Sequence, residues 1–317
     1  MRKLLLLVFL SSSIWAMQNL SPDKEIEVNA TVKDMILYEN SLLIATDNGL
    51  IKIYDTKKEA FTRTIKFHKV KDFMGDEVSP RVFSVDRLEH KILALSESGK
   101  GGYANLWIEE NQKLTQILVA KDKISAIKAR FVDEHHILLG LLSNEALLLD
   151  IRSHQTLFRT QLSPSKFSDF TLNEDKTKAV FACESGVLSI IDSKIGKILK
   201  NLKNIHVDNV YKVDFKQGFI SGAGQDRKAS IINTQNDSYS FIPASFLIYA
   251  TALSPLAEKV AFAMDEENNI SIYERQSQNK IAILKGQKST LNTILFKDEN
   301  TVFSSSDDST IMLWKLK

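Results

Sequence analysis

The chain has 317 residues, 41 Lys and Arg against 39 Asp and Glu, and a single cysteine. This near balance of charge carries no basic surplus for a phosphate backbone, so nucleic acid is not an expected partner. One cysteine rules out an internal disulfide, and Cys183 reads as a small buried hydrophobe.

Residues 1–16 read as a secretory signal peptide. Arg2 and Lys3 form its charged start, Leu4 to Leu10 its apolar run and Ser11 to Ala16 its small-residue end, with cleavage expected after Ala16. A run of seven apolar residues is too short for a hydrocarbon core, which needs about 20. No other stretch is apolar enough to span a membrane. Loss of Arg2 and Lys3 leaves 39 basic against 39 acidic residues. The expected location is therefore the periplasm, with one domain over residues 17–317.

Residues 26–32 alternate apolar and polar side chains, as an edge strand does. Six units then follow at 33–66, 82–119, 125–161, 167–202, 210–242 and 248–284, each divisible into four short strands. A seventh, 291–315, has only three. Aligned on the penultimate residue of each third strand, the units are marked by Tyr54, Trp107, Leu149, Ile191, Ile232, Tyr273 and Trp314. Their successive spacings are 53, 42, 42, 41, 41 and 41. A period near 41 is that of a propeller blade of roughly 40–45 residues. The fold class is therefore all-β, a seven-bladed β-propeller. Since the last unit lacks an outer strand, residues 26–32 are expected beside Thr310–Lys315, closing the ring and covering a bare sheet edge.

The repeats also resemble a known family. In the last unit, Gly286-Gln287 precedes a strand, a second strand ends in serines, Asp307-Asp308 forms a turn, and a third strand ends in Trp314-Lys315. This resembles a WD40 repeat, with Gln287 in place of the His of Gly-His and Lys315 in place of the Asp of Trp-Asp. The resemblance implies structural roles for Asp307 and Trp314. It also implies that His206, at the Gly-His position of blade five, hydrogen-bonds the turn residue Asp226, although Ile232 replaces the Trp of that network. With its export signal the chain looks like the NapL-type accessory proteins of periplasmic nitrate reductase systems. That likeness implies a non-catalytic helper that docks periplasmic proteins, a reductase or its electron-transfer components among them, and no cofactor in this chain.

The residues offer no catalytic constellation. His135 and His136 are adjacent on a strand and point to opposite faces, a poor metal pair. The carboxylates at Asp47, Asp226, Asp265, Asp307 and Asp308 sit in turns, where they bond backbone N–H groups. A calcium ring built from them would lack any loop signature. Ser98-Gly99-Lys100-Gly101-Gly102 lacks the spacing of a phosphate loop. The alternative function is a lactonase-like enzyme or ligand binder with carboxylates at the channel mouth. The 53-residue spacing places extra chain in two loops, His68–Arg81 and Ser96–Tyr103, that should rise together over blade two. An apolar cluster rimmed by charge marks an interaction site. Phe73, Met74, Asp76, Glu77 and Tyr103 are accordingly the expected partner-binding residues.

Overall fold

The second strand of nearly every repeat is buried along almost its whole length, as at Ser41–Thr46, His136–Leu141 and Phe219–Gly224. Such a strand must lie inside a sheet that has neighbours on both faces. Fourth strands such as Ala60–Lys66 and Gln155–Gln161 are mostly exposed, as outer edges are. The computed structural model describes residues 17–317; the expected signal peptide, residues 1–16, lies outside the described residues.

Seven blade sheets result, one per unit, all antiparallel but for one added strand in blade six. Their innermost strands are Val32–Tyr38, Val82–Leu88, Ala126–Phe131, Phe167–Leu172, Val210–Lys216, Ala250–Leu253 and Leu291–Phe296. Each touches the next, and the last touches the first, so they encircle a central channel. The core is divided correspondingly. Seven apolar clusters each join two consecutive blades, from the one holding Ile53 and Val85 between blades one and two round to the one holding Phe303 and Met35 between seven and one. The chain is a seven-bladed β-propeller. Among the described residues the only helical turn is Ala120–Asp122.

The ring closes through the N-terminal segment. Lys24–Glu27 runs antiparallel to Thr310–Lys315, with Ile26 opposite Ile311. The Asp23 and Val28 amides extend the ladder to the Leu313 and Ser309 carbonyls, each at 2.8 Å. The closing strand is shorter than the 26–32 run suggests. Asn29 adopts a left-handed backbone (φ 59°), which ends the ladder, and Val32 already belongs to blade one. A further strand, Gln18–Leu20, pairs in parallel with Lys280–Leu284 and makes blade six five-stranded. The Gln18 side chain meets the other chain end, donating to the Lys317 carbonyl at 2.9 Å and accepting from its amide at 3.2 Å.

The extra residues of the long second spacing form two local structures. Val70–Lys71 and Glu77–Val78 pair as a small hairpin. Residues 98–103 form a tight turn in which the Ser98 amide and hydroxyl both donate to the Tyr103 carbonyl and the Tyr103 amide donates to the Lys100 carbonyl.

Candidate functional site

The inner strands share a local defect that shapes one face of the ring. In every blade except the sixth, the pairing of the first two strands slips by one residue near the start of the inner strand. Such a bulge re-aims a side chain and bends the strand. The slips fall at Lys33, Phe83, Ile127, Ser168, Tyr211 and Asn292. The first four of these line a groove of about 690 Å³ at the channel mouth.

One wall of that groove is the hairpin, through Val70, Asp72, Phe73 and Val78. The glycine turn 98–103 stands against it. A Cβ on Gly99 would lie 2.2 Å from the Lys71 carbonyl oxygen, and Gly99 has a φ of +74°, so the approach of the two loops requires glycine here. Phe73 is 90% exposed and Met74 71% exposed at the hairpin tip. Asp72 holds that tip in shape, accepting the Met74 and Asp76 amides at 2.9 Å each. The structure thus places Phe73 and Tyr103 in one groove. Met74, Asp76 and Glu77 are exposed on the same hairpin but do not line it.

Beneath the groove lies an ionic cluster that the sequence reading did not single out; its members Asp34, Lys128, Asp169 and Lys212 reach the groove lining. Arg130 of blade three donates to Asp34 of blade one, Nη1 to Oδ2 at 2.9 Å and Nη2 to Oδ1 at 3.2 Å. Lys128 Nζ lies 2.6 Å from Asp169 Oδ1, and Lys212 Nζ lies 4.0 Å from that same oxygen. These carboxylates also tie blades together. Asp34 accepts the Val85 amide at 3.0 Å, Asp86 the Phe131 amide at 2.7 Å, Asp169 the Val213 amide at 3.2 Å and Asp214 the Leu253 amide at 2.8 Å. In each case an inner-strand carboxylate of one blade satisfies an inner-strand N–H of the next. Burial alone would raise the Asp34 carboxyl, but the charges of Arg130 and then Lys128 outweigh it and hold it below the ordinary value. Asp86 goes the other way: burial pushes it up, and Arg130 only partly offsets this. The available signal was an aspartate recurring at the third or fifth place of the inner strands.

Blade five contains the buried polar set built around His206. Its Nδ1 lies 3.0 Å from Asp226 Oδ1 and its Nε2 2.8 Å from Ser230 Oγ. Asp226 also accepts the Val207 amide at 3.1 Å and the Lys228 amide at 3.3 Å. Burial pushes the His206 imidazolium below its ordinary value, against the hydrogen bond and charge of Asp226. In the last blade Gln287 takes the corresponding place, with its amide between Ser306 and Ser304 at 2.7 Å each. Trp314 is fully buried, and its indole N–H has no hydrogen-bond partner. Asp307 is exposed and meets only Asn292 Nδ2 at 3.5 Å; the turn is instead held by Asp308, which accepts the Thr310 amide at 2.8 Å. Cys183 is buried beside Ser163 and Ser185. Among the described residues no three His, Cys, Asp or Glu side chains gather as a metal-binding group, and no helix is long and apolar enough to cross a membrane.

The chain is similar in structure to the β-propeller domain of Cps50 (Swd1) from Myceliophteria thermophila. The TM-score is 0.72 at 14% identity, over 93% of this chain and 99% of that one. At that identity the likeness speaks for the fold alone, a seven-bladed WD40-like propeller. No family model matches the chain, and no curated protein matches it.

Proposed function

We propose that this protein is an exported, non-catalytic docking platform, and that its partner sits on the face formed by the hairpin 70–78 and the turn 98–103. The observation that carries this reading is the placement of Phe73. A large apolar side chain is held almost fully in solvent by an ordered hairpin, at the edge of a groove of about 690 Å³. Exposed apolar surface rimmed by charge is what protein-binding sites present, and propellers of this architecture commonly serve as interaction scaffolds. The N-terminal pattern of residues 1–16 supports export to the periplasm. The resemblance to NapL-type accessory proteins supports a helper role beside a periplasmic reductase, in its maturation or electron supply. The carboxylates nearest the channel mouth, Asp34 and Asp169, are committed to Arg130, Lys128 and backbone amides, so a lactonase-like reading gains nothing from them.

The test is co-purification from a periplasmic fraction, with and without residues 70–79 shortened to a four-residue turn. The shortened protein should keep its thermal midpoint and lose a reductase component that the intact protein retains. Retention of that component at unchanged affinity by the shortened protein would place the docking surface elsewhere.

A further inference from the structure

The groove lining sets five cations, Lys33, Arg81, Lys100, Lys128 and Lys212, against four carboxylates, Asp34, Asp72, Glu97 and Asp169, and every one of those carboxylates is already engaged. Asp34 already accepts from Arg130 and the Val85 amide, and Asp169 from Lys128 and the Val213 amide. Lys212 reaches only an Asp169 oxygen that is already occupied by Lys128, and from 4.0 Å. Among the described residues, Lys33 and Lys100 have no carboxylate within ion-pair distance. Asp72 on the hairpin wall is spent on the amides of its own tip, and Glu97 is spent on Arg81. Two lysines without a close counterion, Lys33 and Lys100, and a third, Lys212, that shares its carboxylate with Lys128, therefore surround one opening. Lys128 reports the same imbalance from inside. Burial pushes its ammonium down, Asp169 resists, and the charges of Arg130 and Lys212 add to the push. A cation cluster in a partly desolvated mouth interacts with an added anion far more strongly than surface lysines do.

The second observation is apolar. Phe73 and Val78 on the hairpin and Ile127 on the opposite side present hydrocarbon to the same opening. A bare inorganic anion would leave that surface in water. A side-chain carboxylate flanked by an apolar residue would meet both features at once. Resting on the docking reading above, we propose that the groove receives an extended acidic segment of a partner protein, its Asp or Glu carboxylate set between Lys212 and Lys33 and a neighbouring apolar side chain laid against Phe73 and Val78. Lys100, on the glycine turn, would follow the segment as it enters.

The experiment uses the full chain, expressed with its own N-terminus, to pan a phage-displayed library of random dodecapeptides. Enriched peptides are synthesised and titrated by fluorescence anisotropy against the unaltered protein, Lys212→Glu, Lys212→Gln and Phe73→Ser. Thermal melts of each variant check folding; Lys212 is partly exposed and Phe73 almost wholly so. The expected result is enrichment of Asp or Glu beside an apolar residue. Affinity should fall about tenfold or more with Lys212→Glu, less with Lys212→Gln, and fall with rising salt. Phe73→Ser should weaken binding while leaving the salt dependence in place. Peptides without an acid, weakened by Phe73→Ser but indifferent to Lys212→Glu, would overturn the acidic preference and leave the docking groove standing. Peptides indifferent to both variants, or no enrichment at all, would overturn the docking site as well. Glutarate, used as a small dicarboxylate competitor, should displace the peptides only weakly. Displacement at the peptides' own affinity would make this a small-anion site and overturn the protein partner.

Discussion

Asp34 and Arg130 give a direct way to measure what holds the channel together. The pair is bidentate and nearly buried, with side-chain exposures of 9% and 13%. Asp34→Ala leaves a guanidinium in the channel wall without its counterion and the Val85 amide without its acceptor. Removing one partner of a buried pair costs about 3–5 kcal/mol, mostly as the stranded charge. Arg130→Met keeps much of the stem but strands Asp34 in turn, at a cost of similar size. The double variant strands neither, so its loss should fall short of the sum of the singles by about 2–3 kcal/mol. Urea unfolding followed through the fluorescence of Trp107 and Trp314 reads all four corners of the cycle. The pH dependence adds a sign. Because the folded Asp34 carboxyl is held below its ordinary value, its contribution is present above that value and is lost as pH falls through the folded one. The gap between the unaltered protein and Asp34→Ala should therefore be constant from pH 7 to 5 and shrink only in stronger acid. Single variants that each cost under about 1 kcal/mol and add without coupling would refute this account of the channel.

Three further outcomes follow from the geometry. Deleting residues 17–28 removes Ile26 and Val28, at 3% and 0% exposure, from the last interface, and should cost about 3–6 kcal/mol and expose an aggregation-prone edge; an unchanged urea midpoint with monomeric elution would contradict it. Asp226→Ala should cost about 1–3 kcal/mol by stranding the Val207 amide and His206, which chemical denaturation would show. With the imidazolium of His206 pushed below 6.5, the unfolded chain takes up the proton first, so stability should decline as pH falls below about 6.5, and His206→Gln should flatten that decline. A decline of equal slope in the variant would assign it to other groups.

Much of this architecture is readable along the chain because it depends on local chemistry. The doubly buried second strands, the polar turns and the 41-residue period are all properties of neighbouring residues, and they place the seven blades within a few residues. The need for an outer strand in the last blade is a counting argument, and it locates the closing segment. Three features are less visible because they arise between distant parts. The bulges that turn Lys33 and Ile127 into the groove depend on pairing register, which composition does not encode. The carboxylates at Asp34, Asp86, Asp169 and Asp214 look like ordinary polar positions until the next blade supplies an amide. Gln18–Leu20 is three residues long, with no pattern to mark it as a strand; only the exposed edge of blade six gives it a partner. The two inserted loops were locatable from spacing, yet their contact rests on a missing side chain at Gly99.

The two N-terminal strands also set an order of events. Residues 18–27 find their partners at 280–284 and 310–315, so the beginning of the chain must wait for its end before either strand can pair. Every other outer strand is delivered by a short turn from its own blade. Closing a loop of nearly the whole chain costs more entropy than closing such a turn and is slow to achieve. The expected route therefore runs through an open crescent whose two terminal blades lack a common boundary. The seam between blades six, seven and one is the last part of the ring to zip. Being held by short strands at the chain terminus, it is also where breathing begins, so the circle behaves less like a solid wheel than like a clasped bracelet.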